Sequence, residues 1–140
     1  MKDSFWRVCD ANMNRAREGL RVCEEIARFV LKDESLTRQC QRLRYDVTSL
    51  SKSFPRFKFL KHRDVRTDVG RPGGKSVSSH AGYQAVAQAN ARRVEEALRV
   101  LEEFMRMRRA LSALAFSQLR FRAYALEQAL LSKLPPLQHH

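Results

Sequence analysis

An internal repeat constrains the fold of this chain more than any other feature. The segment 11–28 recurs 78 residues later as 89–106, with ten identities in 18 positions, where chance would give roughly one. The same offset pairs three later positions in the two halves: Arg42 with Arg120, Leu43 with Phe121 and Arg44 with Arg122. The repeat therefore predicts one helical hairpin that has been duplicated.

Apolar residues recur at helical spacing in both halves, as in the stripe Met13, Ala16, Leu20, Cys23, Ala27 and Leu31. Cap and breaker residues then place four helices, from near Asp10 to Leu31, from Asp33–Ser35 toward Ser53, from Ser78 or Ser79 to Arg109, and from about Leu111 to Leu134. We expect one domain over 1–140, with repeat 1 at about 10–53, a loop at 54–79 and repeat 2 at about 80–134. The predicted fold class is all-α, an antiparallel helical bundle built from two duplicated helical hairpins joined by a long loop.

Composition narrows the classes of partner. Lys and Arg number 27 against 15 Asp and Glu, which gives a formal charge of +12 and favours anionic partners such as nucleic acid, phosphorylated metabolites or a membrane surface. Aromatic residues do not interleave with the cations as a base-stacking platform requires, which argues against nucleic acid. No window approaches the roughly 18 apolar residues of a membrane span.

The cysteines bear on the compartment of the cell. Cys9, Cys23 and Cys40 are odd in number and lack CxxC spacing, so neither a disulfide framework nor a zinc site is predicted. Reduced, packed thiols and the lack of a signal peptide predict a cytoplasmic protein.

One short motif resembles a phosphate-binding loop. Gly74-Lys75-Ser76 ends as a P-loop does, but Val69 occupies the position of the first glycine and no buried strand precedes the motif. We interpret the segment as a Gly/Pro-rich loop.

The repeated helices also share one flank, which carries Asn12, Arg15, Gly19, Val22 and Ile26 in the first half and Asn90, Arg93, Ala97, Val100 and Phe104 in the second. A flank that is polar in its first turn, small at the next step and then apolar predicts a hollow with a basic floor beside the core. The small residues Gly19 and Ala97 leave room for a close helix or for a ligand. A glycine in the middle of a helix lowers its stability by about 1 kcal/mol relative to alanine.

Pseudo-symmetry would bring Arg15 and Arg93 toward a shared axis, where a bound polyanion or bridging carboxylates of Glu18 and Glu96 would relieve their repulsion. The other repeated charges have helix-surface spacing and are predicted to be structural: Arg21, Arg99, Glu24, Glu25, Glu102 and Glu103.

Three ordered segments resemble a known family: DANMNRAREGLRVCEEIARFVLKD, RDVRTDVG and QANARRVEEALRVLEEF. It is the all-helical domain that some bacteria fuse before thiamine-phosphate synthase and that also occurs alone, described as a hydroxymethylpyrimidine-phosphate kinase. The match runs from about Asp10 to Phe104, and the chain stops where the synthase barrel would begin, so it resembles the stand-alone form. The segment RPGGKS after DVG departs from the family pattern.

The resemblance implies that ATP, with Mg²⁺, phosphorylates hydroxymethylpyrimidine phosphate to the diphosphate in thiamine biosynthesis, so the expected partner is a phosphorylated pyrimidine. The resemblance identifies the positions below, and their individual roles are inferred from the chemistry of phosphoryl transfer. Arg15, Arg93 and Asp68 are the catalytic candidates. The substrate-binding candidates are Asn12, Asn90, Arg63, Asp64 and Gly70, and the metal candidates are Glu18, Glu96 and Asp68.

Three other functions stay open on the residues alone. The domain could bind a pyrimidine phosphate of the thiamine pathway without turnover, or it could be a basic helical module for nucleic acid. The third alternative is a structural bundle that forms a homo-oligomer.

Overall fold

The computed structural model describes residues 2–55 and 82–135. Within these ranges it contains no strand and four α-helices, which are α1 (Lys2–Glu25), α2 (Glu34–Leu50), α3 (Tyr83–Met105) and α4 (Ala110–Lys133). A π-helical turn, Ile26–Val30, extends α1, and a 3-10 turn, Ser51–Ser53, follows α2. The predicted all-α class is confirmed. Most of the expected loop, with the caps at Ser78 and Ser79, lies outside the described residues.

The helices form a four-membered ring. In this ring α1 packs on α2 and α3, and α4 packs on the same two neighbours. The start of α1 meets the end of α3, where the Phe5 and Phe104 ring centroids are 6.2 Å apart, and Ile26 beyond the end of α1 clusters with Ala87 near the start of α3. These contacts show that α1 and α3 run antiparallel.

The first helix begins earlier than the repeat predicts. It starts at Lys2 instead of near Asp10, because Phe5, Trp6 and Cys9 continue the apolar stripe and are buried. Trp6 lies 4.8 Å from the Phe5 centroid and 5.1 Å from that of Phe54, which follows the 3-10 turn. This aromatic contact ties the start of the chain to the end of the first hairpin.

The turns of the two hairpins differ. In the first, Lys32 has a positive φ of 51° and the Asp33 side chain caps α2 by accepting a hydrogen bond from Leu36 N at 2.9 Å. In the second, α3 ends at Met105 instead of Arg109, and α4 begins at Ala110. The path from Glu24 to the start of α2 is ten residues, whereas the path from Glu102 to the start of α4 is eight.

This difference corrects the residue pairing between the second helices of the two halves. With the offset of 78, Leu43 would correspond to Phe121, yet Leu43 is 2% exposed and Phe121 is 61% exposed. An offset of 76 instead aligns three buried residues of α2 with three buried residues of α4: Cys40 with Phe116, Leu43 with Leu119 and Val47 with Ala123. By the same shift, Arg44 corresponds to Arg120.

A buried glutamate joins the two helices of each hairpin. Glu24 Oε1 of α1 lies 2.8 Å from Arg44 Nη2 of α2, and Glu102 Oε1 of α3 lies 2.9 Å from Arg120 Nη2 of α4. Burial would raise the pKa of both carboxyls, but the hydrogen bonds that they accept outweigh it and hold each pKa below its usual value. Glu24 and Glu102 are therefore structural, but they are buried and pair between helices, whereas their spacing predicted pairs on the helix surface.

Candidate functional site

The repeated flanks of α1 and α3 meet at Gly19. A Cβ added to Gly19 would lie 2.7 Å from Val94 Cγ2 and 2.8 Å from the backbone oxygen of Asn90. The missing side chain therefore admits the backbone of α3. Of the two occupants that the sequence left open, a close helix and a ligand, the helix takes this space, and the predicted hollow is closed at Gly19.

The two asparagines occupy matching positions beside this contact. The Asn12 amide donates to Val8 O and the Asn90 amide donates to Val86 O, each at 2.9 Å and each one turn back along its helix. Such back-bonding occupies the amide nitrogen and leaves the side-chain oxygen as the acceptor. In Asn12, which is 4% exposed, that oxygen lies 3.5 Å from Arg15 Nη1. An asparagine held in this way can orient the arginine beside it.

The two arginines of the flank are exposed to solvent and weakly paired. Arg93 Nη2 of α3 lies 3.9 Å from Glu18 Oε1 of α1, and the two side chains are 53% and 70% exposed. A pair this long and this exposed is worth at most about 1 kcal/mol. Glu18 thus approaches Arg93 across the helix contact, and Arg15 and Glu96 hold the corresponding positions of the repeat. A phosphate group could displace so weak a partner.

The candidate site offers few carboxylates to bind Mg²⁺. Among residues 2–55 and 82–135, no three His, Cys, Asp or Glu side chains are grouped as a metal site. Glu18 on α1 and Glu96 on α3 are both exposed. Mg²⁺ usually binds one or two protein carboxylates together with water and substrate phosphates. Either glutamate could supply one of them.

The loop candidates fall outside the described part of the chain. These are Arg63, Asp64, Asp68 and Gly70, together with the segment Gly74-Lys75-Ser76. Their predicted roles remain predictions.

The bundle also contains a buried glutamate beside a second carboxyl, which the sequence analysis did not predict. Glu95 of α3 is 6% exposed, and its Oε2 atom has no hydrogen-bond partner. Burial raises the pKa of Glu95 to about 8, and the neighbouring carboxyl of Glu127 on α4 adds to the rise. Glu127 Oε2 lies 3.6 Å from Arg92 Nε, so the proton belongs on Glu95. The sequence signal was its position between the apolar Ala91 and Leu98, on the buried side of the helix.

A cleft of about 450 Å³ beside the first turn is also lined by cations, including Arg28, Lys32 and Arg38. The carboxylates of Asp33 and Glu34 line the same cleft, and Arg28 Nη2 lies 3.2 Å from Glu24. Buried Glu24 also holds Arg28 more firmly than an exposed partner would. The α1–α3 flank is therefore the stronger candidate for phosphate.

Fold and flank together define an internally duplicated helical bundle that presents exposed arginines beside the contact of its two long repeated helices. The model of the ThiD2 family matches residues 7–129, which include most of α1 and all of α2 and α3. The chain belongs to the ThiD2 family.

Curated relatives named thiamine-phosphate synthase are similar to this chain. The protein from Synechocystis is 43% identical over 130 residues, covering 91% of this chain and 37% of the relative. Those from Nostoc punctiforme and Rhodopirellula baltica are each 38% identical, covering 90% and 94% of this chain and 35% of each relative. The chain therefore spans little more than a third of the length of these relatives. No solved structure matches it significantly.

No helix among the described residues combines the length and the apolar character needed to cross a membrane.

Proposed function

We propose that this protein acts in thiamine biosynthesis as an ATP-dependent kinase that phosphorylates hydroxymethylpyrimidine phosphate to the diphosphate. Membership of the ThiD2 family and the similarity to proteins named thiamine-phosphate synthase support the pathway. The single structural observation that carries the proposal is the pair of exposed, weakly held arginines that the repeat places beside the α1–α3 contact.

The reaction needs positioning and charge neutralisation more than it needs a base. The acceptor is a phosphate oxygen, which is already ionised at neutral pH, and the transferred group must be held in line with it. Arginine suits this task because its planar guanidinium binds phosphate oxygens in a bidentate manner and stays charged. In the proposal, Arg15 and Arg93 bind phosphate oxygens, and Asn12 and Asn90 orient these arginines or the pyrimidine edge. Bound Mg²⁺ would neutralise part of the phosphate charge.

The proposed cytoplasmic location follows from the same pathway and from the thiols. Cys9, Cys23 and Cys40 are free and buried, and burial raises the pKa of each to about 12. Such thiols pack as small apolar groups and are poor nucleophiles.

The test is ADP release from Mg-ATP with hydroxymethylpyrimidine phosphate, with the product identified by mass and the unphosphorylated alcohol as a control substrate. We expect the diphosphate to form. We also expect Arg15→Ala and Arg93→Ala each to lower kcat/KM by about 100-fold, corresponding to the loss of a charge-assisted contact to phosphate of roughly 3 kcal/mol.

Arg38→Ala is the matched control, because Arg38 is exposed on α2 and makes an i,i+4 pair with Glu34. Its kcat/KM should match the wild type, and all three variants should keep the wild-type melting temperature. Folded protein that forms no diphosphate would sink the kinase assignment. If the diphosphate forms and both Arg15→Ala and Arg93→Ala keep the wild-type kcat/KM, the kinase assignment stands and this site is refuted.

A further inference from the structure

The outward side of α4 carries an exposed apolar row. Its members are Leu111, Leu114, Gln118, Phe121 and Ala125, which we call the α4 seam, and the three large apolar ones are 84%, 56% and 61% exposed in chain order. The opposite side of the same helix is buried in the core. A helix with large apolar residues on opposite sides is normally covered on both, so the exposed seam is a candidate contact surface.

The spacing of the seam indicates that its partner is a helix. Successive members are three, four, three and four residues apart. This is the 3.5-residue repeat of a and d positions, which place side chains between those of a facing helix. The 15 residues from Leu111 to Ala125 extend over roughly 21 Å at 1.5 Å per residue, a length suited to one helix–helix contact.

No charged residue of α4 belongs to the seam, although Arg42 and Arg122 line the cleft that Ala125 borders. Each charged residue of the helix is paired within the molecule: Arg120 with Glu102, Arg122 with Asp46, Glu127 with Arg92 and Lys133 with Asp33. None of the four belongs to the seam. In a chain of net charge +12, two copies repel each other over most of their surface. The uncharged part of the seam, from Leu111 to Phe121, is where that repulsion is weakest.

We propose that the α4 seam binds the α4 seam of a second copy of this chain to form a twofold dimer. In an isologous contact centred on the seam, the middle residue lies on the twofold axis and meets its own copy. That residue is Gln118, whose amide both donates and accepts and can therefore pair with itself. Leu111, Leu114 and Phe121 then supply the apolar contact on either side of the axis.

The dimer leaves the candidate site open. That site lies along α1 and α3, whereas α4 is diagonally opposite α1 in the ring of helices. A contact along one helix buries less than the roughly 800 Å² per partner of a standard interface. We therefore expect a weak dimer, with a Kd of roughly 1–100 µM. This proposal does not depend on the kinase activity.

Sedimentation equilibrium from about 1 to about 500 µM brackets this Kd. The wild type should pass from monomer to dimer, and Phe121→Glu should remain monomeric throughout. Phe29→Glu is the matched control, because Phe29 is 64% exposed, slightly more than Phe121, and lies outside the seam. It should dimerise as the wild type does.

Cross-linking tests the position of the axis. Gln118→Cys should form a disulfide-linked dimer on mild oxidation, because the three natural cysteines are buried. Ala89→Cys, exposed on α3, should not. A wild type that is monomeric at 500 µM, including one that binds only an added thiamine-phosphate synthase, overturns the proposal. So does a Phe121→Glu variant that dimerises as tightly as the wild type.

Discussion

Replacing Gly19 by alanine tests the close approach of α1 and α3. The added Cβ would lie 2.7 Å from Val94 Cγ2 and 2.8 Å from Asn90 O, whereas carbon contacts are most favourable at roughly 3.5–4.0 Å. Val94 can change its rotamer, but Asn90 O belongs to the helix backbone, so α3 itself must move. Overpacking of this kind costs up to about 3 kcal/mol.

Alanine also returns about 1 kcal/mol, because glycine is the poorer helix former. The expected net loss of stability for Gly19→Ala is therefore up to about 2 kcal/mol. For a chain of this size that corresponds to a fall in Tm of up to roughly 8 °C, measured by circular dichroism or calorimetry.

The sign of the change separates the two explanations of this glycine. If Gly19 faced open space, the higher helix propensity of alanine would be the only effect, and Gly19→Ala would raise Tm. That outcome would refute the close contact. The double variant Gly19→Ala with Val94→Ala removes one clash and leaves that with Asn90 O. After correction for the Val94→Ala variant alone, it should recover only part of the lost stability.

Two buried carboxylates give the remaining predictions. Glu102→Gln leaves the buried guanidinium of Arg120 without its counter-charge and should lower the free energy of unfolding by about 3 kcal/mol, as measured in urea, whereas Glu103→Gln, exposed on the same helix, should change it little. Burial raises the pKa of Glu95 from 4.5 to about 8. Between these two pH values the folded protein keeps a proton on Glu95 that the unfolded chain has already lost. The free energy of unfolding should therefore fall by roughly 2–4 kcal/mol as pH rises from 5 to 8. Glu95→Gln should remove most of that slope in urea titrations at each pH, and an unchanged slope would contradict the assignment.

Local signals were sufficient for two of the helices. Asp33 is a capping residue directly before an apolar stripe, and it caps α2 as predicted. The predicted fourth helix, from about Leu111 to Leu134, differs by one residue at each end from α4. In both cases cap or breaker residues stand beside a periodic segment, and those signals need no tertiary information.

The start of α1 and the register of α4 were wrong because the repeat was extended beyond the residues that carry it. Sequence identity begins at Ala11, but burial of Phe5 and Trp6 extends the helix back to Lys2. After Glu102 the second half uses a connection two residues shorter, which no identity count reveals. Side-chain packing decided both points.

Gly19 shows why the site was harder to predict than the fold. A small residue on a helical flank has the same appearance in a sequence whether it admits a helix or a ligand. Glu95 shows the converse, because its repeat partner is Arg17 and its burial therefore has no counterpart in the first half. Each depends on what lies opposite in space, and that is a property of the assembled bundle.

The presence of a residue in both halves of the repeat does not by itself make it functional. Repeated residues that do not stabilise the fold are the better candidates for the site. Glu24 and Glu102 are each 4% exposed at the side chain and hold an arginine from the next helix, so folding is sufficient reason for their presence in both halves. Arg15 and Arg93 are exposed, and the contacts between each and its neighbours, at 3.5 and 3.9 Å, contribute little to stability. The proposed function would explain why the duplicated fold carries these two arginines in both halves. For two arginines, phosphate is the ligand whose charge and geometry they match.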